Sequence, residues 1–218
     1  EFWRYPDRFK AWNDRCFNYA LPPVRDHMMA LIREVCDRYD MDGLELDWNR
    51  FPLHFREGEE IEQGKTLTEW MASVRDVVRW AEKKRRHPIW LVARVPARPE
   101  VSYGTGLDAV TWAKRGLIDH LVVAPFWATT DYDIPVERWL DLLRGTGVGV
   151  TAGLEIRVQP YPGAPVLPNT PERRRGAAMA HLARGSQGIY VFNYFEGRSE
   201  AGSELWQLFN EMASIDKL

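Results

Sequence analysis

Five short apolar segments, each separated from the next by enough residues for a helix, most constrain how this sequence can fold. They are rich in β-branched residues and occupy residues 43–48, 89–95, 120–127, 149–156 and 188–195. Successive segments begin 46, 31, 29 and 39 residues apart. Apolar strands that alternate with helix-length connections are typical of βα units in a parallel sheet buried on both faces.

The connecting segments carry the periodicity and the end signals of helices. Apolar residues recur at helical spacing in residues 24–38, 66–84, 135–144, 171–184 and 203–213. Thr66 and Glu69 have the spacing of a capping box, and Thr170 precedes a proline as a predicted N-cap. Three glycines that follow basic residues shortly before strands are predicted C-caps: Gly116, Gly145 and Gly185. The predicted order is a helix followed by five strands, each with a helix after it.

The number of βα units favours part of a barrel over a nucleotide-binding sheet. No glycine-rich phosphate-binding motif follows any of the strands, so the nucleotide-binding kind of doubly wound sheet lacks its phosphate cradle. A complete (β/α)8 TIM barrel needs eight units and about 250 residues. We predict one α/β domain over residues 1–218, a (β/α)8 barrel of which the last five units are present and the N-terminal three are missing. Residues 1–20 are then the tail of the third unit.

Composition argues against several classes of function. The chain has 29 basic and 31 acidic residues, so it lacks the basic surface expected of a nucleic-acid-binding protein. Its apolar runs are far shorter than the roughly 18 residues that a membrane-spanning helix needs. The two cysteines, Cys16 and Cys36, cannot form a disulfide framework, and no histidine or cysteine spacing of a zinc site occurs. We expect no nucleic-acid partner, no membrane-spanning segment, no metal and no cofactor.

Carboxylates lie near the carboxyl end of the first predicted strand, where functional groups gather in βα folds. Alternation directs Glu45 and Asp47 to the barrel axis, with Asp47 nearer the mouth. Two inward carboxylates in an apolar strand are costly unless they are paired or used. Two hypotheses follow, a functional role and a structural ion pair with Arg50 or Arg94.

Three further strand ends supply polar candidates. If Arg94 faces inward, it lies beside Asp47, where it holds a carboxylate ionised, binds a substrate oxygen or serves only as a counter-ion. Glu155 closes the fourth strand above small residues and is a candidate catalytic carboxylate, with a surface salt bridge as the alternative. Asn193 ends the fifth strand and is a candidate to orient a carboxylate or a sugar hydroxyl, or to bind a neighbouring strand end.

Aromatic side chains accumulate in the loops at the same end of the predicted barrel. They are Trp48, Phe51, His54, Phe55, Trp127, Tyr132 and Tyr161. Aromatic faces at a wet cleft can stack on the apolar face of a sugar ring, although loop packing is the alternative for each ring. Serine acyl transfer and Schiff-base chemistry are disfavoured, because no G-x-S-x-G elbow and no strand-end lysine is present.

The segment 39–52 resembles the fourth-strand signature of the family-10-like glycosyl hydrolases of bacteria, a family of TIM barrels. That signature reads Tyr-Asp-x-Asp-Gly, an apolar residue, x, Leu or Phe, then Asp-x-x-Arg, and it matches Tyr39 through Arg50. More distantly, the segment is similar to the Asp-Gly strand of the α-amylase superfamily. Residues 192–195, Phe-Asn-Tyr-Phe, resemble the last strand of the family. The resemblance extends over nearly the whole chain from about Asn18.

The resemblance implies that residues 43–48 form the fourth barrel strand and 149–156 the seventh, so that Asp47 and Glu155 are its paired carboxylates. Retaining glycosidases use such a pair at about 5–5.5 Å, and inverting enzymes at about 6.5–9.5 Å. By analogy with the α-amylase arrangement, Asp47 is instead the nucleophile and the acid is Asp131 or Asp133. The resemblance also implies a secreted or periplasmic location.

The leading hypothesis is a glycoside hydrolase that acts on a poly- or oligosaccharide, with Asp47 and Glu155 as catalytic residues. Six residues are predicted to tune the chemistry or bind the substrate: Glu45, Trp48, Arg50, Arg94, Trp127 and Asn193. The first alternative is a non-catalytic carbohydrate-binding barrel, which keeps the aromatic rings but lacks a competent acid/base pair. The second is a metal-independent barrel lyase or isomerase that uses Glu155 as its base.

Overall fold

Helices and strands alternate along the computed structural model, which describes residues 16–49, 51–125, 129–161, 163–194 and 202–217. The first half contains α1 (Pro22–Arg38), β1 (Gly43–Asp47), α2 (Glu60–Arg85), β2 (Trp90–Pro96), α3 (Pro99–Gly104), α4 (Ala109–Lys114) and β3 (His120–Ala124). The second half contains α5 (Val136–Leu142), β4 (Gly149–Leu154), β5 (Arg157–Val158), β6 (Leu167–Pro168), α6 (Pro171–Ala183), β7 (Ile189–Val191), α7 (Gly202–Met212) and a short 3-10 helix (Ile215–Lys217).

Five of these strands form one parallel sheet in the order β1-β2-β3-β4-β7. Each strand therefore lies beside the one before it in the βα series, and β5 and β6 form a separate antiparallel hairpin. The sheet is curled, as a contact between its two edge strands shows. Tyr190 on β7 contacts Glu45 on β1 across the concave face. The predicted α/β class is confirmed. The assignment of this sheet to the last five units of a (β/α)8 barrel stays a prediction.

The hydrophobic core lies between the convex face of the sheet and the helices. In β2 the odd positions Leu91, Ala93 and Val95 are fully buried toward the helices, whereas Trp90 on the concave face is 54% exposed. The helices contribute a matching set of buried side chains to this core, including Leu67, Met71, Val74, Val78 and Trp112. Period-two burial on the strands thus separates a core face from a concave face that holds polar groups.

Most predicted helix ends agree with the structure, but the capping box does not. Helix α2 begins at Glu60, so Thr66 and Glu69 lie inside the helix. Glutamates in its first turn stabilise this earlier start through the helix dipole. The three predicted C-cap glycines have positive φ, and Thr170 accepts a hydrogen bond from the Arg173 N–H as an N-cap.

Candidate functional site

The carboxyl ends of β1 and β2 place an aspartate beside an arginine. Asp47 and Arg94 are partners in the parallel register of these two strands. The Nη1 atom of Arg94 donates to both carboxylate oxygens of Asp47, each at 2.9 Å. The Arg94 side chain is 1% exposed, while that of Asp47 is 33% exposed and so remains open to a ligand.

Glu155 lies beside the same guanidinium. It directly follows β4, its side chain is 1% exposed, and its Oε1 atom lies 3.8 Å from Nη2 of Arg94. A nearby guanidinium favours the charged form of a carboxylate and offsets the cost of burying it. One buried cation thus contacts both carboxylates that the sequence analysis singled out.

Aromatic rings from the end of β7 hold the guanidinium in place. The Cζ atom of Arg94 lies 3.9 Å from the centre of the Phe192 ring and 5.7 Å from that of Tyr190. Stacking on an aromatic face is favourable for a desolvated guanidinium. Sequence reasoning did not single out either ring, although their spacing of two residues places them on one face of a strand.

Glu45 occupies the concave face two residues before Asp47 and accepts a hydrogen bond from the Tyr190 hydroxyl at 2.9 Å. Burial raises the pKa of the Glu45 carboxyl, and the negative charge of Asp47 adds to this effect. The Tyr190 hydrogen bond and Arg94 oppose the increase. Burial and the charge of Glu45 likewise raise the pKa of the Tyr190 hydroxyl. The site therefore contains one carboxyl whose pKa lies above its ordinary value.

Asn49 is a site residue that sequence reasoning missed. Its backbone N–H donates to Oδ1 of Asp47 at 3.0 Å. Its fully buried side-chain amide donates to the carbonyl oxygens of Ala124 and Pro125 at 2.8 and 3.1 Å. Asn49 thereby joins the loop after β1 to the end of β3. An aspartate followed two residues later by asparagine in a loop is the available signal, since such side chains bond nearby backbone groups.

Trp48 lies in the core and not at the concave face. It is 3% exposed, and its ring packs edge-to-face against those of Tyr19, His54 and Trp70 at centroid distances of 5.2, 5.2 and 5.8 Å. The predicted sugar-binding role does not fit this placement, because a ring buried to this extent offers no face to a ligand. The cause is strand alternation, which gives Trp48 the parity of Leu44 and Leu46.

His54 is also part of this core cluster. Its Nε2 donates to the carbonyl oxygen of Trp48 at 2.9 Å, and burial lowers the pKa of its imidazole. Of the other predicted loop aromatics, Phe55 is buried, whereas Tyr132 and Tyr161 are exposed. Exposed rings are thus present near the strand ends, but the aromatic cluster itself serves packing.

The remaining predicted residues fall into two groups. Arg50 and Trp127 lie outside the described residues. Asn193 has a left-handed backbone with φ of 60°, which asparagine tolerates well, and its predicted role stays a prediction.

The two alternative acids are engaged in ion pairs away from Arg94. Asp131 lies 3.4 Å from Arg98, and Asp133 lies 2.6 Å from Arg184. The hydrogen bond from Arg184 lowers the pKa of the Asp133 carboxyl, so this group favours its ionised form. That environment is unsuited to a general acid, which must hold a proton near the working pH.

Two other features, a metal centre and a membrane-spanning helix, have no counterpart in the described ranges. There, no group of three or more histidine, cysteine, aspartate or glutamate side chains is arranged to hold a metal ion. No helix in that part of the chain is both long and apolar enough to cross a membrane.

Comparison with known proteins identifies glycoside hydrolases. No model of a known protein family matches the sequence. The chain is 20% identical over 174 residues to the glycosyl hydrolase DigH of Escherichia coli O6:H1, an alignment that covers 62% of this chain and 38% of DigH. The chain thus spans well under half the length of this curated relative.

Solved structures give the same class of neighbour. One is an N-acetylglucosaminidase of glycoside hydrolase family 18 from Paenibacillus barengoltzii, with a TM-score of 0.54 and 11% identity over 92% of this chain and 77% of that chain. Another is a family 18 chitinase from Chromobacterium violaceum, with a TM-score of 0.33 and 15% identity over 59% of this chain and 25% of that chain, a likeness too weak to support an argument. The first match supports the fold. The sequence resemblance pointed to family-10-like enzymes, whereas the structural neighbours belong to family 18. The similarity in sequence to the bacterial relative supports a glycosidase-like enzyme.

Proposed function

We propose that this chain carries the catalytic carboxylates of a glycoside hydrolase that acts on a poly- or oligosaccharide, with Asp47 and Glu155 as the reacting pair. The observation that carries the proposal is their convergence on one guanidinium, that of Arg94. These residues lie 108 positions apart in the sequence, and they meet where parallel strands end, the usual location of an active site in βα folds. The similarity to a glycosyl hydrolase supports the same reaction class.

In this mechanism, Asp47 is the accessible member of the pair. Its partial exposure lets it face an anomeric carbon or a water molecule. Glycoside cleavage needs one carboxyl group that protonates the leaving oxygen and another that stabilises the developing positive charge on the sugar. Glu155, which lies beside the same guanidinium, is the other member of the pair. Glu45, whose pKa is raised by burial, tunes the charge of the site.

A panel of 4-nitrophenyl glycosides, including the N-acetyl-β-D-glucosaminide, tests the proposal with the full chain. Asp47→Asn and Glu155→Gln should each lower kcat by about 10²–10⁴-fold, the contribution typical of acid–base catalysis. Asp141→Asn is the matched control, because Asp141 forms an exposed ion pair with Arg144. Wild-type rates in both site variants would assign the chemistry to other residues.

A non-catalytic carbohydrate-binding protein is the competing function, and one observation favours it. Nη1 of Arg94 contacts both oxygens of Asp47, as expected for a structural ion pair that is never released. Isothermal titration with chito-oligosaccharides and xylo-oligosaccharides separates the two functions. Binding without turnover on any glycoside would favour the binding protein, and turnover lost in Asp47→Asn with binding retained would favour the enzyme.

A further inference from the structure

Two buried polar side chains hold the backbone of Glu155. The Oγ1 atom of Thr130 donates to the carbonyl oxygen of Glu155 at 2.9 Å and accepts from its N–H at 3.2 Å. The Nδ2 atom of Asn169 donates to the same carbonyl oxygen at 2.8 Å and to Thr130 Oγ1 at 2.7 Å. Both side chains are buried, that of Asn169 almost completely. We call Thr130 and Asn169 the Glu155 clamp.

The clamp binds the chain just beyond the last residue of β4 that pairs with β7. The pairing of β4 with β7 ends at Leu154, so Glu155 is the first residue beyond the ladder. Its backbone groups therefore need other partners, since buried N–H and carbonyl groups are costly when unpaired. Thr130 belongs to the loop after β3, and Asn169 directly follows β6. Two separate loops thus meet on one residue.

A third contact fixes these loops to each other. The backbone N–H of Thr130 donates to the carbonyl oxygen of Arg157 at 2.9 Å, in the first strand of the β5–β6 hairpin. The hairpin leaves the sheet two residues after Glu155 and returns at Asn169. The position of Glu155 is therefore defined by the β3 loop on one side and by the hairpin on the other.

The two N–H groups of the Asn169 side-chain amide, and not its oxygen, are what this position requires. Its Oδ1 atom is buried and has no hydrogen-bond partner in the described part of the chain. An apolar side chain of similar size would avoid that cost. Only a side chain with two N–H groups at this position can donate both to the Glu155 carbonyl and to the Thr130 hydroxyl.

We propose that Thr130 and Asn169 are positioning residues that fix the Glu155 carboxylate relative to Arg94 and Asp47. The inference rests on the proposed catalytic role of Glu155. Misplacing a reacting group by about 1 Å can lower the rate by about 100-fold, even when the substrate still binds. Loss of the clamp should therefore affect turnover much more than binding.

Variants of the clamp in the full chain test this inference on the 4-nitrophenyl glycoside with the highest turnover. Thr130→Val removes the hydroxyl without a change in size, Asn169→Leu removes both donors, and Thr130→Ser restores the hydroxyl. We expect kcat to fall by at least about 10-fold in the first two variants, with KM within about two-fold of the wild type. Thr130→Ser should recover most of the wild-type kcat.

Ser186→Ala is the matched control. The Oγ atom of Ser186 accepts from the N–H of Ala152 at 2.9 Å and donates to the carbonyl of Gly188 at 2.7 Å, so it is a second buried hydroxyl on the backbone of β4. It lies away from Glu155. We expect this variant to lower Tm as Thr130→Val does but to keep the wild-type kcat. Equal losses of kcat in Ser186→Ala and Thr130→Val would overturn the proposal.

Amide hydrogen exchange gives a measurement that does not depend on activity. The Glu155 N–H should exchange at least about 10-fold faster in Thr130→Val than in the wild type and Thr130→Ser. Unchanged exchange would contradict the clamp itself. No turnover by the wild type on any glycoside would instead remove the proposed function and with it the catalytic role of the clamp. Normal turnover in both Thr130→Val and Asn169→Leu would overturn the clamp alone.

Discussion

The Tyr190 hydroxyl donates a hydrogen bond to Oε1 of Glu45 at 2.9 Å, although the two residues lie on opposite edge strands of a five-stranded sheet. In a flat sheet, four interstrand spacings would separate these strands by about 19 Å, and their side chains would stand roughly parallel to each other. The contact therefore requires a strongly curled sheet. Its concave side holds Asp47 and Arg94, so curvature and site assembly have the same cause.

Glu45→Gln should change how stability depends on pH. Burial raises the pKa of Glu45 in the folded state, so this group stabilises the fold fully below its ordinary value of 4.5. That contribution is lost as the pH increases through the raised folded-state value. Relative to the wild type, Glu45→Gln should lose less stability between pH 4 and pH 7. Urea unfolding at both pH values measures the difference.

Glu57→Gln serves as the control for this experiment, because Glu57 is exposed. It should keep the wild-type pH dependence. If the free energy of unfolding depended on pH in the same way in Glu45→Gln and Glu57→Gln, the pKa of Glu45 would not be raised on folding.

Arg94→Met should destabilise the protein more than loss of any exposed arginine. The substitution keeps much of the side-chain volume but removes the cation that faces Asp47 and the buried Glu155. Removal of one partner from a buried ion pair costs about 3–5 kcal/mol, because the remaining charge stays desolvated. Urea unfolding at pH 7 measures the change in the free energy of unfolding.

Arg144→Met provides the comparison, since Arg144 pairs with Asp141 on an exposed helix end. Its effect should stay within about 0.5–1 kcal/mol. A similar small effect of Arg94→Met would show that the guanidinium does not compensate the two carboxylates.

The strands and one ion pair could be predicted from the sequence because period-two patterns determine both. All five predicted strands are present, and the alternation of β1 and β2 was enough to place Arg94 beside Asp47. Four of the strands are shorter than their apolar runs, whereas β2 has the length of its run and is shifted by one residue. For the third run, residues 126 and 127 lie outside the described part of the chain. The same rule, applied one residue further to Trp48, would have assigned that ring to the core.

The contacts of Glu155 could not be predicted in this way. Thr130 and Asn169 reach it from two loops, at separations of 25 and 14 residues, and loop paths follow no periodic pattern. The start of α2 was misplaced for a related reason. A favourable capping pair, Thr66 and Glu69, occurs inside a helix that begins six residues earlier, where Gly64 packs closely against Gly106. Local signals fail where tertiary contacts decide.

The Trp48→Ala variant should show that Trp48 stabilises the core and does not bind a ligand. The ring is buried and makes edge-to-face contacts with three aromatic neighbours, so its removal leaves a large cavity. We expect a loss of about 3–5 kcal/mol in the free energy of unfolding. The milder Trp48→Phe should lower Tm while KM for a 4-nitrophenyl glycoside stays unchanged.

Trp206→Ala is the control for Trp48→Ala, because Trp206 is 68% exposed. Its substitution should change the free energy of unfolding by no more than about 0.5 kcal/mol. A KM that increases in Trp48→Phe without any loss of Tm would restore the sugar-binding role predicted from the sequence.

Gly153→Ala should disturb the site through the strand beneath it. A Cβ at Gly153 would lie 2.6 Å from the Cβ of Ala124 on the neighbouring strand, so the two strands must shift apart. Such overpacking costs about 1–3 kcal/mol. Because Glu155 follows two residues later on the same face, kcat should fall together with stability.

Gly176→Ala is the control and makes the same substitution in the interior of α6, where nothing lies within 4 Å of the added Cβ. It should stabilise the protein by about 0.5–1 kcal/mol, since alanine favours a helix more than glycine does. Thermal unfolding measures the change in Tm of both variants. A change of the same sign in both would contradict the close packing of β3 on β4.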